Sequence, residues 1–323
     1  MMSIPQLKIA DMMPRLPIIQ GGMAIKVSTA ALAAAVSNNG GIGIIAGTGL
    51  SLEQLRAEIR KARELTNGKG YIGVNILFAA RKFADLVRTA MEEKIDFVIS
   101  GAGFSRDMFS WSKELNVPII SIVSSAKFAK LAERLGAVAV VVEGKEAGGH
   151  LGTDRPLRDI LPEVVKEVNI PVIAAGGIID GFDIAEMLKL GANGVQMGTR
   201  FVASEECEAA DSFKEMIVKA NKEQGTVLIN STVGLPGRAL RNTFTDKIAD
   251  DAKYGIDKCN ACLKVCSHRF CITDALERAV TGDVDMGLVF SGENAYRIDS
   301  ILPVKDIMDK LEREIKQGLA NSN

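Results

Sequence analysis

The chain has 323 residues, 47% of them aliphatic, aromatic or Cys, enough for one large domain with a smaller unit, or for two ordinary domains. Its 39 Lys and Arg almost cancel 40 Asp and Glu, and no segment concentrates cations, which argues against nucleic acid as the main partner. Apolar runs are too short to cross a bilayer and residues 1–8 do not read as a signal peptide, so a soluble, cytoplasmic protein without a membrane partner is expected.

Short aliphatic or β-branched runs, each ending in Gly, Asn or Ser, recur at 17–20, 41–45, 71–76, 97–100, 118–123, 138–142, 171–175 and 194–197. Between them lie segments of helical periodicity, among them 29–38, 52–65, 81–93, 125–135 and 182–190. Eight buried-type strands alternating with about as many helices is the count of a closed (β/α)8 TIM barrel, in the α/β class. An open doubly wound sheet is the structural alternative.

In such a barrel the residues just after each strand share one face and carry function. Here those positions are rich in glycine: Gly21-Gly22-Met23-Ala24, Asn75, Ser100-Gly101-Ala102-Gly103, Glu143 to His150, Gly176-Gly177-Ile178 and Gly198-Thr199-Arg200. Glycine at so many strand ends suits a large, flat group lying close to the backbone.

From about 205 to 283 the repeat stops and polar content rises, which predicts a mostly helical inserted lid. The barrel is expected to occupy 1–204 and to be completed by 284–323. The last helix carries Ile301, Val304, Ile307, Met308, Leu311 and Ile315 on one face. Four of the five Cys, Cys259, Cys262, Cys266 and Cys271, crowd the insert at x2, x3 and x4 spacings, unlike a secreted disulfide framework. That spacing suits four thiolates around a Zn2+ or an iron–sulfur cluster, with His268 as a substitute ligand. Unligated thiols packed between helices are the alternative. Cys207 reads as a small buried side chain.

Two late turns, Gly176-Gly177 and Gly198-Thr199, can aim unpaired backbone N–H groups at a phosphate, the recurring barrel arrangement. A nucleotide, a sugar phosphate or a flavin would each fit. Purine-nucleotide dehydrogenases need a barrel thiolate, and residues 1–204 contain no Cys. A flavin accounts for more. Gly22-Met23-Ala24 can offer amides to its N5 edge, and Asn75 can meet its pyrimidine edge.

The segments Leu16 to Ala24, Glu146-Ala147-Gly148-Gly149-His150, Pro171 to Ile178 and Gln196 to Phe201 resemble the nitronate monooxygenase family, formerly 2-nitropropane dioxygenases. They equally resemble its relative, the flavin enoyl-acyl-carrier-protein reductase of type II. The resemblance runs through Gly282-Asp283-Val284-Asp285 to the C-terminus. It implies an FMN site at Gly22, Met23, Ala24, Asn75, Gly176, Gly177, Gln196, Gly198 and Thr199, with Gly148 and Gly149 beside them. It also implies a catalytic, substrate-facing His150, whose imidazole suits proton transfer or hydrogen bonding to an oxyanion.

Two reactions use these residues. In the favoured one, an alkyl nitronate is oxidised with O2 to a carbonyl compound and nitrite. In the other, NAD(P)H reduces an enoyl thioester through FMN, with His150 donating to the thioester carbonyl. A more remote alternative is a flavin- or metal-binding sensor without turnover. A homodimer would be in keeping with barrel flavoenzymes of this type.

Overall fold

The computed structural model describes residues 3–223, 225–249, 256 and 259–321; part of the predicted 205–283 insert lies outside these. Eight parallel strands close into a barrel: β1 (Ile18–Gln20), β2 (Ile42–Ala46), β3 (Tyr71–Leu77), β4 (Phe97–Gly101), β5 (Ile119–Val123), β6 (Ala139–Glu143), β8 (Val172–Ala175) and β9 (Gly194–Met197). Closure comes from β1 pairing with β9, Ile19 opposite Gln196 and Gln20 opposite Met197. All eight coincide with the runs predicted from sequence. The doubly wound alternative is excluded, because an open sheet lacks that last pairing.

The period of two along each strand sorts its side chains. Inward residues such as Ile19, Ile44, Phe97, Ile99, Ile120, Val141 and Ile173 form the barrel interior, which Leu7, Ile9 and Met12 of the N-terminal segment join. Gly73 leaves room for Phe97, whose ring carbons would lie 2.3 Å from any added Cβ. Outward residues such as Ile18, Ile45, Val74, Val98, Val140 and Val195 pack under the helices.

Those helices are α1 (Ala30–Asn38), α2 (Leu52–Leu65), α3 (Phe83–Glu92), α4 (Arg106–Leu115), α5 (Ala126–Leu135), α6 (Leu157–Glu167) and α7 (Gly181–Lys189), followed after β9 by the single turn α8 (Thr199–Val202). The last helix, α12 (Val304–Ala320), packs against α7 and α1 and buries Val304, Ile307, Met308, Leu311 and Ile315, as its periodicity predicted. Close approach needs Gly181, since a Cβ there would meet Leu311 O at 2.5 Å.

The insert carries α9 (Asp211–Val218), α10 (Thr243–Ala249) and α11 (Ile272–Val280), but also an antiparallel hairpin absent from the sequence reading. Its strands are β10 (Thr226–Asn230) and β11 (Pro236–Leu240). The hairpin adds to the short strand β7 (Gly149–His150), Gly237 opposite His150 and Arg238 opposite Gly149. The insert has an apolar cluster built on Ile229, Phe244, Leu263, Phe270 and Ile272, which Leu288, just beyond the insert, joins.

Candidate active site

One cavity of about 610 Å3 opens at the C-terminal ends of the barrel strands, where the fold places functional residues. Its floor follows from strand parity: the last inward positions are Gly21, Asn75, Gly101, Ile122, Glu143, Ala175 and Gln196, and all line the cavity. Its roof comes largely from the insert and is apolar, with Phe213, Val233, Leu263, Ile272, Leu276, Leu288 and Phe290. Gly22, Met23, Ala24, Asn75, Gly148, Gly149, His150, Gly176, Gly177, Gln196, Gly198 and Thr199 line this one cavity, so the structure brings every residue of the expected flavin and catalytic set together.

The turn after β1 is fixed by a buried polar network. Gln20 donates to Ser28 Oγ at 2.8 Å and accepts from Ile44 N–H at 3.0 Å, while Ser28 Oγ donates to Gly21 O and accepts from Met23 N–H, each at 2.9 Å. Asn75 Nδ2 donates to Gly22 O at 3.1 Å. A Cβ at Gly22 would sit 2.3 Å from Asn75 Cβ, so only glycine lets the strand ends approach. Asn75 Oδ1 and Gln196 Oε1 are buried without a hydrogen-bond partner. Two orphaned acceptors on the floor fit a ligand that brings its own donors.

The late turns form the second half. Gly176 and Gly177 adopt φ of +112° and +71°, a left-handed pair that points successive amides outward. Asn294 Nδ2 donates to Gly177 O at 2.7 Å, and Gly292 N–H donates to Thr199 Oγ1 at 3.0 Å. Ser291 and Gly292 also line the cavity. The sequence reading missed this segment, although Gly292 in a polar turn just before the final helix was a usable signal. Arg200, next to Thr199, is turned away and donates to Ala203 O and Ser300 O, each at 2.7 Å.

His150 sits where β7 joins the hairpin. Its Nε2 lies 2.8 Å from Ser231 Oγ, in the hairpin turn, and its ring meets Phe290 edge-on at 5.2 Å. Burial lowers its pKa from 6.5 to about 4, so the imidazole is neutral at pH 7. Val233 N–H also donates to Ser231 Oγ, at 3.4 Å; the same oxygen can either accept from Nε2–H or donate its proton to Nε2, according to the imidazole tautomer.

The cysteines come out differently from the expected metal centre. Cys259, Cys262, Cys266, Cys271 and His268 line a side cavity of about 90 Å3. Among the described residues, however, no group of three or more His, Cys, Asp or Glu is placed to hold a metal ion, so a Zn or iron–sulfur site is unsupported. Three thiols instead accept local hydrogen bonds: Cys259 from Ala261 N–H and Cys266 from His268 N–H at 3.4 Å, and Cys271 from Asn260 at 3.5 Å. The loop is fastened to the barrel by Arg81 N–H to Cys262 O and Lys264 N–H to Ala79 O, each 2.9 Å. Cys207 is buried, as expected.

A family model described as nitronate monooxygenase matches residues 6–314. The chain belongs to the nitronate monooxygenase family. It is 28% identical to a probable nitronate monooxygenase of Staphylococcus aureus, across 93% of this chain and 94% of that one. A second relative, a Mycobacterium tuberculosis (3aS,4S,5R,7aS)-5-hydroxy-7a-methyl-1-oxo-octahydro-1H-indene-4-carboxyl-CoA dehydrogenase, is 34% identical; the match covers 73% of this chain and 66% of that protein. Among solved structures, FabK from Thermotoga maritima superposes with a TM-score of 0.84 and 38% identity, over 95% of both chains. A nitroalkane oxidase from Streptomyces ansochromogenes gives 0.82 and 25%, over 96% of this chain and 98% of that one. Members of this family are flavin-dependent oxidoreductases, and so is this chain. No helix among the described residues is long and apolar enough to cross a membrane.

Proposed function

We propose that the chain binds FMN and uses NAD(P)H to reduce the carbon–carbon double bond of an enoyl thioester. The observation that carries this reading is His150 on the cavity wall, held by Ser231 and Phe290 under an apolar roof. The 38% identity to FabK, higher than to the nitroalkane oxidase, supports it. The glycine turns at 176–177 and 198–199 would hold the phosphate, Gly22 to Ala24 and Asn75 the ring, and Gln196 the floor side. Gly148 lets the backbone beside His150 approach Ser291 and Gly292, since a Cβ there would lie 2.6 Å from Gly292 N.

Bound FMN would supply hydride to Cβ of the substrate, having been reduced by NAD(P)H. The π bond breaks, a C–H bond forms at Cβ, and Cα takes a proton from solvent. With Ser231 Oγ–H donating to Nε2, His150 would carry its proton on Nδ1 and donate it as a hydrogen bond to the thioester carbonyl, where negative charge develops, with no proton transfer. The apolar roof would take the acyl chain. We infer that this insert acts as a cap on a barrel formed by 1–204 and 284–323.

The family model and the S. aureus relative favour a second reading, oxidation of an alkyl nitronate with O2. A neutral His150 can bind nitro oxygens, but a pKa near 4 makes it a poor base toward a neutral nitroalkane. Paired assays separate the two. NAD(P)H oxidation dependent on crotonyl-CoA is expected. O2 uptake with propyl nitronate and no turnover of the thioester would replace the first reading with the second.

A further inference from the structure

The cavity floor holds one ionisable group that the reaction above does not use. Glu143 ends β6, two and four residues beyond inward-facing Val141 and Ala139, so its carboxyl reaches the floor. On the flanking strands β8 places Ala175 opposite Glu143, and β5 brings Ile122, opposite Val141, to the cavity. No hydrogen bond or ion pair engages the carboxyl among the described residues, in contrast to Glu146 nearby, which accepts from Leu157 N–H at 3.0 Å.

The other ionisable groups on the cavity wall are His150, Cys262, Arg81 and Lys82, and none of them bears on Glu143. Helices α5 and α6 cover the outer face of β6, away from the carboxyl, and their charged side chains pair there, as in Lys130–Glu133 and Arg155–Glu163. Desolvation alone therefore sets its titration, pushing it up to about 8. At pH 7 it is a neutral acid with a proton to donate, facing two orphaned amide oxygens' share of the same floor.

We propose that Glu143 is a flavin-positioning residue: its carboxylic acid donates a hydrogen bond to the floor-facing ring system of bound FMN, and its proton affinity rises when the flavin is reduced. This rests on the FMN reading. A carboxylate beside an electron-rich ring would repel it, whereas a neutral acid adds an O–H donor to a floor where Asn75 already gives an N–H to Gly22 O. The site thus carries a dissociable proton where an amide would give a fixed one.

The test uses the FMN-loaded protein and two readouts besides turnover: the visible flavin spectrum from pH 6 to 10, and the midpoint potential across the same range. Wild type should show a spectral inflection near pH 8. Above it, reduction takes up an extra proton, so the potential should fall more steeply with pH. Glu143→Gln should keep FMN and lose both effects, while Glu143→Asp should keep an inflection at a displaced pH. Wild type without an inflection, or both variants retaining it unmoved, overturns the inference. Wild type that takes up no FMN overturns the flavin reading first, and this inference with it.

Discussion

At the scale of single residues, His150 was legible from its glycine-flanked place after a barrel strand, but its state was not. Neutrality comes from burial, and the residues that hold the ring, Phe290 and Ser231, lie 140 and 81 positions away and carry no local signal. His150→Ala should keep FMN and lose on the order of 10²-fold or more in kcat, the scale of a lost oxyanion donor. Ser231→Ala should cost about tenfold, roughly one hydrogen bond's worth of orientation. Full turnover in the first variant removes His150 from the reaction. The pH dependence carries a sign. His150 titrates at about 4 when folded and near 6.5 when unfolded, so the unfolded chain binds the proton first as pH drops. Its contribution is intact above 6.5 and declines from there toward 4. Urea titrations at pH 7 and 5 should show a larger loss for wild type than for His150→Ala. Glu143 stood among the strand-end positions read from sequence without a role of its own, and the inward parity of Ala139 and Val141 is what turns it to the floor.

At the scale of elements, the barrel strands were legible because parallel strands buried on both faces are near-continuous aliphatic runs punctuated by glycine. The hairpin was not. The buried face of β10 is short, with Ile229 buried, Val227 partly so and Leu228 exposed, and β11 pairs with β7, far back in the chain. The Cys spacing left two outcomes open, since a compact run of thiols is equally compatible with tight turns capped by N–H···S bonds. The phosphate turns give the sharpest test at this scale. Gly177 has φ of +71° and a Cβ there would lie 2.9 Å from Glu146 Cβ. Gly177→Ala should weaken FMN binding at least tenfold and destabilise the protein by about 1–3 kcal/mol, read by fluorescence titration and thermal melting. Unchanged FMN affinity would place the phosphate elsewhere.

At the scale of the whole molecule, the barrel supplies the floor and the phosphate turns, and the insert supplies the roof. The two were unequally readable because the floor obeys a repeating rule, whereas the roof is assembled from α9, α11, the hairpin turn and the segment around Phe290, with no common period. Substrate choice should therefore respond to the roof alone. Leu276, on the cavity side of α11, is half-buried and apolar, and its neighbours Ile272 and Leu288 belong to the insert's apolar cluster. Leu276→Trp adds bulk at the wall without touching the floor. It should leave FMN affinity and crotonyl-CoA turnover within about threefold, since one altered methylene-scale contact is worth roughly 1–3 kcal/mol only to a substrate that reaches it. For a ten-carbon enoyl thioester, kcat/KM should drop about tenfold or more. An equal loss for both chain lengths would mean that the acyl chain does not run under the insert.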